Sequence, residues 1–304
     1  MTWILFFEQA LNGLQFGLML FLLASGLTLV FGIMDMINLA HGALYMVGAF
    51  LTAWLAQLLG TFIGAVLLAV PLTALFGMAL ESSLLRGLYA RDHLSQVLAT
   101  FSLILIINET VRMIWGTDLA LAAPAALAGP VQLWPGLYYP SYRLVIIAVG
   151  LVLAALLYVL VTHSRMGAWV RAGAANREMA MAMGVHIQRL FTLVFGLGAA
   201  LCAVAGAMLG PLLAVQVGMG ESILILAFVV IVIGGIGSIW GAFVGSLLVG
   251  FVDTFGRTLM PALFREILPP QWASAAGPAV ASILVYLLMA LVLFWRPQGL
   301  FARR

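Results

Sequence analysis

Residues 10–32 read ALNGLQFGLMLFLLASGLTLVFG. The run holds no charged residue, and its polar members, Asn12, Gln15, Ser25 and Thr28, are scattered among apolar neighbours. About 20 consecutive, mostly apolar residues cross the hydrocarbon core of a bilayer as a helix, because a helix satisfies its own backbone N–H and C=O groups where no water can. The stretch therefore reads as a transmembrane helix. A cleaved signal peptide would carry a basic segment ahead of a shorter apolar run. Neither feature is present, so an uncleaved first span is expected.

The same reading recurs along the chain, near 40–58, 61–80, 94–116, 143–162, 190–213, 223–235, 238–256 and 279–295. The piece at 223–235 is short for a crossing. It reads as a half-helix, or as one part of a helix joined to its neighbour across a glycine break. The expected fold is all-α: a polytopic transmembrane helix bundle of about eight to ten helices, forming one membrane domain over 1–304. Composition agrees. The 304 residues are 65% hydrophobic and 8% charged, with a mean hydropathy of +1.20. A water-soluble fold has too little interior to hide that much apolar surface.

The basic residues are all arginine, and their placement orients the spans. Arg86 and Arg91 fall in the loop near 81–93. Arg165, Arg171, Arg177 and Arg189 fall in 163–189, and Arg296, Arg303 and Arg304 in the tail. With nine spans and an external N-terminus these lie on one side, opposite Arg143, Arg257 and Arg265, with Arg112 near that second edge. The positive-inside rule makes the first side, and the C-terminus, cytoplasmic. The net charge of +3 is too small and too dispersed for nucleic acid. On the opposite side, 117–142 holds Pro124, Pro130, Pro135 and Pro140 with Trp134, Tyr138, Tyr139 and Tyr142. The segment 257–277 holds Pro261, Pro269, Pro270 and Trp272. Proline rejects a continuous helix across 117–142, and both segments are expected to form a surface for an external partner or to be plain connectors.

Several residues carry candidate chemistry. In 26–48, GLTLVFGIMDMINLAHGALYMVG, the polar Asp35, Asn38 and His41 recur every third position. On a helix they would share an arc of about 120° and line the inner end of a pathway. In a turn, Asn38 or Asp35 would cap the next helix. One histidine with one carboxylate is too small a set for a metal. In 234–250, GGIGSIWGAFVGSLLVG, the residues Gly237, Gly241 and Gly245 form a small-residue stripe after Gly234 and Gly235. Gly13 with Gly17, and Gly206 with Gly210, repeat the spacing. Such stripes let helix backbones approach. The Gly-Gly-x-Gly-Ser run lacks the lysine and strand of a phosphate loop. Paired glycine interruptions at 26–48 and 228–250 suggest a weak repeat of parallel orientation. Glu109 and Arg112 are spaced to pair along a helix, beside Asn108. Gln15 could face a solute or a neighbouring helix, and Asp253 sits near a span end. Cys202 lies alone in an apolar run, which excludes a disulfide within the chain.

The longest polar stretch on the cytoplasmic side is 163–189, HSRMGAWVRAGAANREMAMAMGVHIQR. Arg171 to Met183 favours helix, and Gly184 stands where a C-cap glycine would. A short exposed helix between two spans is expected, with Arg171, Arg177 and Glu178 outside as a handle for a motor protein.

This segment resembles the coupling loop of ABC-importer permeases, with Ala180 and Gly184 at the Ala-x-x-x-Gly positions. Phe31, Gly32, Asn38, Ala40, His41 and Gly42 resemble the FG-x(5)-N-x-AHG pattern of the LivH-type branched-chain amino-acid permeases. Gly234-Gly235-Ile236-Gly237-Ser238 with Gly241, and Arg296-Pro297-Gln298-Gly299-Leu300-Phe301, resemble two further patterns of that family. The resemblance implies a multi-pass permease subunit of the bacterial inner membrane with no nucleotide site or cofactor of its own. ATP and Mg would bind two partner ATPase subunits. The other partners implied are a second permease chain, a periplasmic substrate-binding protein and membrane lipid. Arg171, Arg177, Glu178, Ala180 and Gly184 would form the ATPase-coupling site. Asn38, His41, Gly42 and Gln15 would serve the pathway or inner gate, and Gly234, Gly235, Gly237, Gly241 and Gly245 helix packing. The alternative is an ion-coupled secondary transporter, which needs intramembrane carboxylates; Asp35, Glu109 and Asp253 are its candidates.

Overall fold

The structure is a computed structural model that describes residues 3–36, 38–267 and 269–301, with the helical side chains of 267, 270–275 and 278 set apart. Arg303, Arg304 and the side chain of Trp272 lie outside the described residues. Eleven α-helices occur among them: α1 (Trp3–Met34), α2 (His41–Leu59), α3 (Phe62–Ser83), α4 (His93–Trp115), α5 (Ser141–His163), α6 (Arg165–Ala175), α7 (Arg177–Ala182), α8 (Ile187–Leu213), α9 (Met219–Gly234), α10 (Ile239–Ile267) and α11 (Pro270–Trp295). Seven are long and apolar enough to cross a membrane: α1, α2, α3, α4, α5, α8 and α10. The described stretch Ala279–Trp295 of α11, and α9, are shorter apolar helices. The chain is a multi-pass helical bundle, as its hydropathy requires.

The largest departure from the sequence reading is at 257–277. Most of this range is helical among the described residues, because α10 continues to Ile267 through Pro261 and α11 starts at Pro270. An interior proline removes one donor and can be accommodated in a membrane helix; Pro71 in α3 and Pro211 in α8 are further cases. Pro270 opens α11, where its missing N–H costs nothing. At 117–142 the expected break is present and takes the form of short strands: β1 (Asp118–Leu119), β2 (Pro130–Trp134) and β3 (Leu137–Pro140), with β4 (Val215–Gln216) further on.

The chain divides into two compact units. One comprises Leu22–Pro124 and Val152–Ile225. In it α2 packs on α3 and α8, α3 packs on α8, and β1 pairs antiparallel with β4. The α2–α8 contact is backbone against backbone: a Cβ on Gly206 would stand 2.2 Å from the Tyr45 carbonyl oxygen, and one on Gly48 would stand 2.4 Å from Ala203 Cα. Gly210, by contrast, meets only the side chains of Leu121 and Val215. Tyr45, Phe50 and Phe195 are fully buried here.

The other unit holds α1 as far as Phe21, residues 125–151, and everything described from Leu226 onward. Here α10 and α11 pack together, and the Gly13/Gly17 stripe of α1 lies on α10. A Cβ on Gly17 would meet the Ser246 carbonyl oxygen at 2.9 Å, and one on Gly250 would meet that of Gly13 at 2.6 Å. The β2–β3 hairpin turns at Gly136. Its buried Tyr139 donates to Asn12 Oδ1 at 3.0 Å, and Arg143 donates to the same oxygen.

Candidate functional site

The expected helix over Arg171–Met183 is two helices. α6 starts at Ser164, whose hydroxyl accepts from Gly167 N at 3.0 Å. The chain then breaks at Asn176, which is extended (φ −158°, ψ 108°). Its Oδ1 accepts from Met179 N at 2.9 Å and so caps α7. Asparagine is a poor interior helix residue and a good N-cap. That signal was in the sequence and outweighs the helix-favouring residues around it. α7 ends in a Schellman arrangement: Val185 N donates to the Ala180 carbonyl at 3.0 Å and Gly184 N to that of Met181 at 2.9 Å. Gly184 sits at φ +87°, a conformation that glycine adopts without strain.

The expected free arginines are not free. Arg171 donates to the Val161 carbonyl. Arg177 donates through Nε to the Ile33 carbonyl at 3.0 Å, with its guanidinium carbon 5.6 Å from the centre of the Phe191 ring. Both are half-buried ties to the body, since a long basic side chain lays its stem on apolar surface and uses its head locally. Ala180 is buried on the inner side of α7 and Glu178 is exposed. Met179, Met181 and Met183 are exposed as well, the last 80%. These methionines were passed over in the sequence, although their alternation over 179–183 is plain there. Exposed methionine makes an adaptable docking surface.

The second place is the break between α1 and α2. Asp35, Asn38 and His41 do not share a helix face. α1 ends at Met34, Asp35 takes φ +51° and is exposed, and α2 begins at His41. Asn38 Oδ1 accepts from Ala40 N at 3.0 Å, a local turn, but the N-cap of α2 is Ala40 and makes no side-chain capping bond, so neither Asn38 nor Asp35 caps that helix. Leu39 N donates to Thr100 Oγ1 at 3.3 Å. Asn38 and His41 are fully buried. The imidazole packs between Gly26 and Gly198, whose added Cβ atoms would stand 2.8 Å and 3.0 Å from it, and edge-on to Phe195. Among the described residues, Asn38 Nδ2, Thr28 Oγ1 and the Tyr45 hydroxyl have no hydrogen-bond partner. Unpaired polar atoms are costly inside a membrane protein. Gly42 packs against the Gly220 carbonyl. Gln15 is buried in the early part of α1, within the other unit.

The third place joins two motifs that the sequence keeps apart. Gly235 (φ +99°) and Gly237 (φ +78°) form the turn between α9 and α10, so Gly237 is not part of a helix stripe. The stripe is Gly241 and Gly245, facing Gly234 and Val230. A Cβ on Gly241 would lie 2.1 Å from the Gly234 carbonyl oxygen, and one on Gly245 2.7 Å from that of Val230. The tail docks on the same turn: Leu300 N donates to the Ile233 carbonyl and Phe301 N to that of Gly234, each at 2.9 Å. Two carbonyls left over at the end of α9 are thereby satisfied.

The carboxylates proposed as ion sites mostly have partners. Glu109 pairs with Arg112 at 2.9 Å, both exposed, and Asp253 pairs with Arg257 at 2.8 Å. Asn108 donates to Glu221 at 2.7 Å. Glu81 was missed altogether. It is fully buried near the end of α3 and accepts from Arg86, Tyr89 and Thr192. Its signal was a lone carboxylate closing an apolar run, with Arg86 and Tyr89 a turn or two beyond.

A family model for the permease component of branched-chain amino acid transport systems matches residues 9–293. The high-affinity branched-chain amino acid transport system permease protein BraD of Pseudomonas aeruginosa is 30% identical, over 98% of this chain and 96% of its own. The permease proteins LivH of Salmonella typhimurium and Escherichia coli, named for the same kind of system, are each 28% identical over the same shares. No solved structure matches. With its membrane helices and its motifs in this order, the chain belongs to the family of permease components of branched-chain amino acid transport systems.

Proposed function

We propose that this chain is the membrane-spanning subunit of an ATP-driven importer for branched-chain amino acids. In this reading it stands in a bacterial plasma membrane with its tail and the 163–189 segment in the cytoplasm. A second permease chain completes the path, a periplasmic binding protein delivers the solute, and two ATPase subunits supply ATP and Mg. The observation that carries the reading is α7, a capped helix with Met179, Met181 and Met183 exposed around it and its arginine turned inward. Such a helix is held by the body and leaves its outer side for a partner. ATP drives transport only if each ATPase state favours one permease conformation, and a helix fixed at its base passes such a preference inward. Asn38, His41 and Gly42 serve the inner gate in this reading, because they stand at the break where α1 hands over to α2.

The test is a mild-detergent purification of the tagged chain with identification of what accompanies it. ATPase subunits and a second permease are expected with the wild-type chain. They are expected to be lost from Gly184→Arg, whose side chain would strain the φ +87° turn and add bulk next to the exposed Met183. Recovery of the chain alone, even after cross-linking, would defeat the reading.

A further inference from the structure

The buried Glu81 carboxylate accepts three side-chain hydrogen bonds. Its Oε1 accepts from the Tyr89 hydroxyl at 2.6 Å. Its Oε2 accepts from the Thr192 hydroxyl at 2.6 Å and from Arg86 at 3.2 Å. The same Arg86 nitrogen donates to Thr192 Oγ1 at 2.9 Å, closing a ring of three side chains. Tyr89 extends the set. Its hydroxyl lies 3.6 Å from the sulfur of Met34, the last residue of α1, and its ring meets Phe191 edge-on at 5.4 Å. Phe191 is the ring beside Arg177 of α7, and Arg177 in turn holds the Ile33 carbonyl, one residue before Met34. One contiguous group thus joins the ends of α1 and α3, the turn at 84–89, the start of α8, and α7. Tyr89 is a secure donor: burial, and then the bond to Glu81, raise its pKa far above the ordinary tyrosine value.

Stability alone does not account for this arrangement. An ion pair taken out of water is often no better than apolar residues filling the same volume, although breaking it is costly. Directional, charge-assisted bonds do fix direction, which apolar packing does less strictly, and here they do so although Arg86 Nε is left without a partner among the described residues. The direction fixed here is that of α7 relative to the last turn of α1, immediately ahead of the break that carries Asp35, Asn38 and His41.

We propose that Glu81 is a positioning residue for coupling: through Tyr89, Thr192 and Arg86 it makes α7, the end of α1 and the start of α8 move as one body, so that a displacement of α7 reaches the α1–α2 break. The proposal rests on the ATP-driven reading above. Thr192 and Tyr89 act with Glu81 in the same role, and Arg86 balances its charge.

The experiment compares hydrogen exchange of the backbone amides at 35–40 in the purified permease–ATPase complex, with and without Mg-ATP and vanadate. Wild type, Glu81→Gln, Thr192→Val and Thr192→Ser are measured, and the ATPase recovered with each is quantified. All four chains are expected to carry the same amount of ATPase. The nucleotide-dependent change at 35–40 is expected in wild type and Thr192→Ser, which keeps the hydroxyl. It should fall roughly tenfold in Glu81→Gln and Thr192→Val. Should Glu81→Gln not fold, the Thr192 pair decides, because valine preserves shape and serine preserves the bond. Wild-type exchange changes in the Val and Gln variants would overturn the proposal. So would loss of ATPase from both, which would make the network a docking element, or a wild-type complex whose 35–40 amides ignore nucleotide. A wild-type chain that recovers no ATPase would instead overturn the importer reading itself.

Discussion

At the scale of single residues, the glycines divide by what stands opposite them. Gly241 faces backbone: a methyl group there would collide with the Gly234 carbonyl, and neither helix can yield without moving as a whole. Gly129 faces nothing within 4 Å. Gly241→Ala is therefore expected to destabilise the protein by about 1–3 kcal/mol, the usual cost of overpacking, and Gly129→Ala to leave it unchanged. Thermal melting of the two variants in the same detergent checks this. Spacing in the sequence announced the first kind of glycine at 241 and 245. It could not announce that Gly237 belongs to a turn, because the i, i+4 pattern reads the same across a helix start. Nor could it show the inward arginines. Arg171 and Arg177 look free in sequence, and their partners are carbonyls, the carbonyl of Ile33 lying far back along the chain. Main-chain acceptors leave no mark in side-chain chemistry, whereas the Glu109–Arg112 pair, both members being side chains on one helix, was readable.

At the scale of elements, caps decide where the short helices stand. Asn176→Ala should cost about 1 kcal/mol, the common value of an N-cap, confined to α7. Faster amide exchange at 177–182 with the body unchanged is the expected result, and uniform acceleration would contradict it. Asp92 caps α4 with both oxygens, accepting from Ser95 N at 3.1 Å and Ser95 Oγ at 2.6 Å. These bonds hold its carboxyl below the usual aspartate pKa. A depressed pKa contributes stability that is fully present above the ordinary carboxylate range and lost as pH falls through the lowered value. Exchange in the first turn of α4 should therefore quicken on acidification below pH 4 or so, and Asp92→Asn should flatten the profile. Most spans were legible within a few residues because twenty apolar positions admit one interpretation. The end of α10 was not, since Pro261 breaks a helix in water and is tolerated where neighbouring helices hold it. The strands at 118–140 were hidden for another reason: they are a few residues long, shorter than any periodicity can establish.

At the scale of the whole molecule, motifs far apart in sequence meet in space, and this was the least legible property. Gly234-Gly235 and Gly299-Leu300-Phe301 each read as a local pattern; only the fold makes one the cap of the other. A chain ending at Trp295 would leave the carbonyls of Ile233 and Gly234 without these donors. It should lose on the order of 2 kcal/mol or more, the cost of orphaned buried acceptors. A lower melting temperature than wild type is expected, with partial recovery if the stop is moved beyond Phe301. The same hydrogen bonds set a timetable for biogenesis. Leu300 follows α10 and α11 in the chain, so α9 is synthesised in full before the donors that finish its last carbonyls exist, and its C-terminal end can be completed only once both later helices have been made.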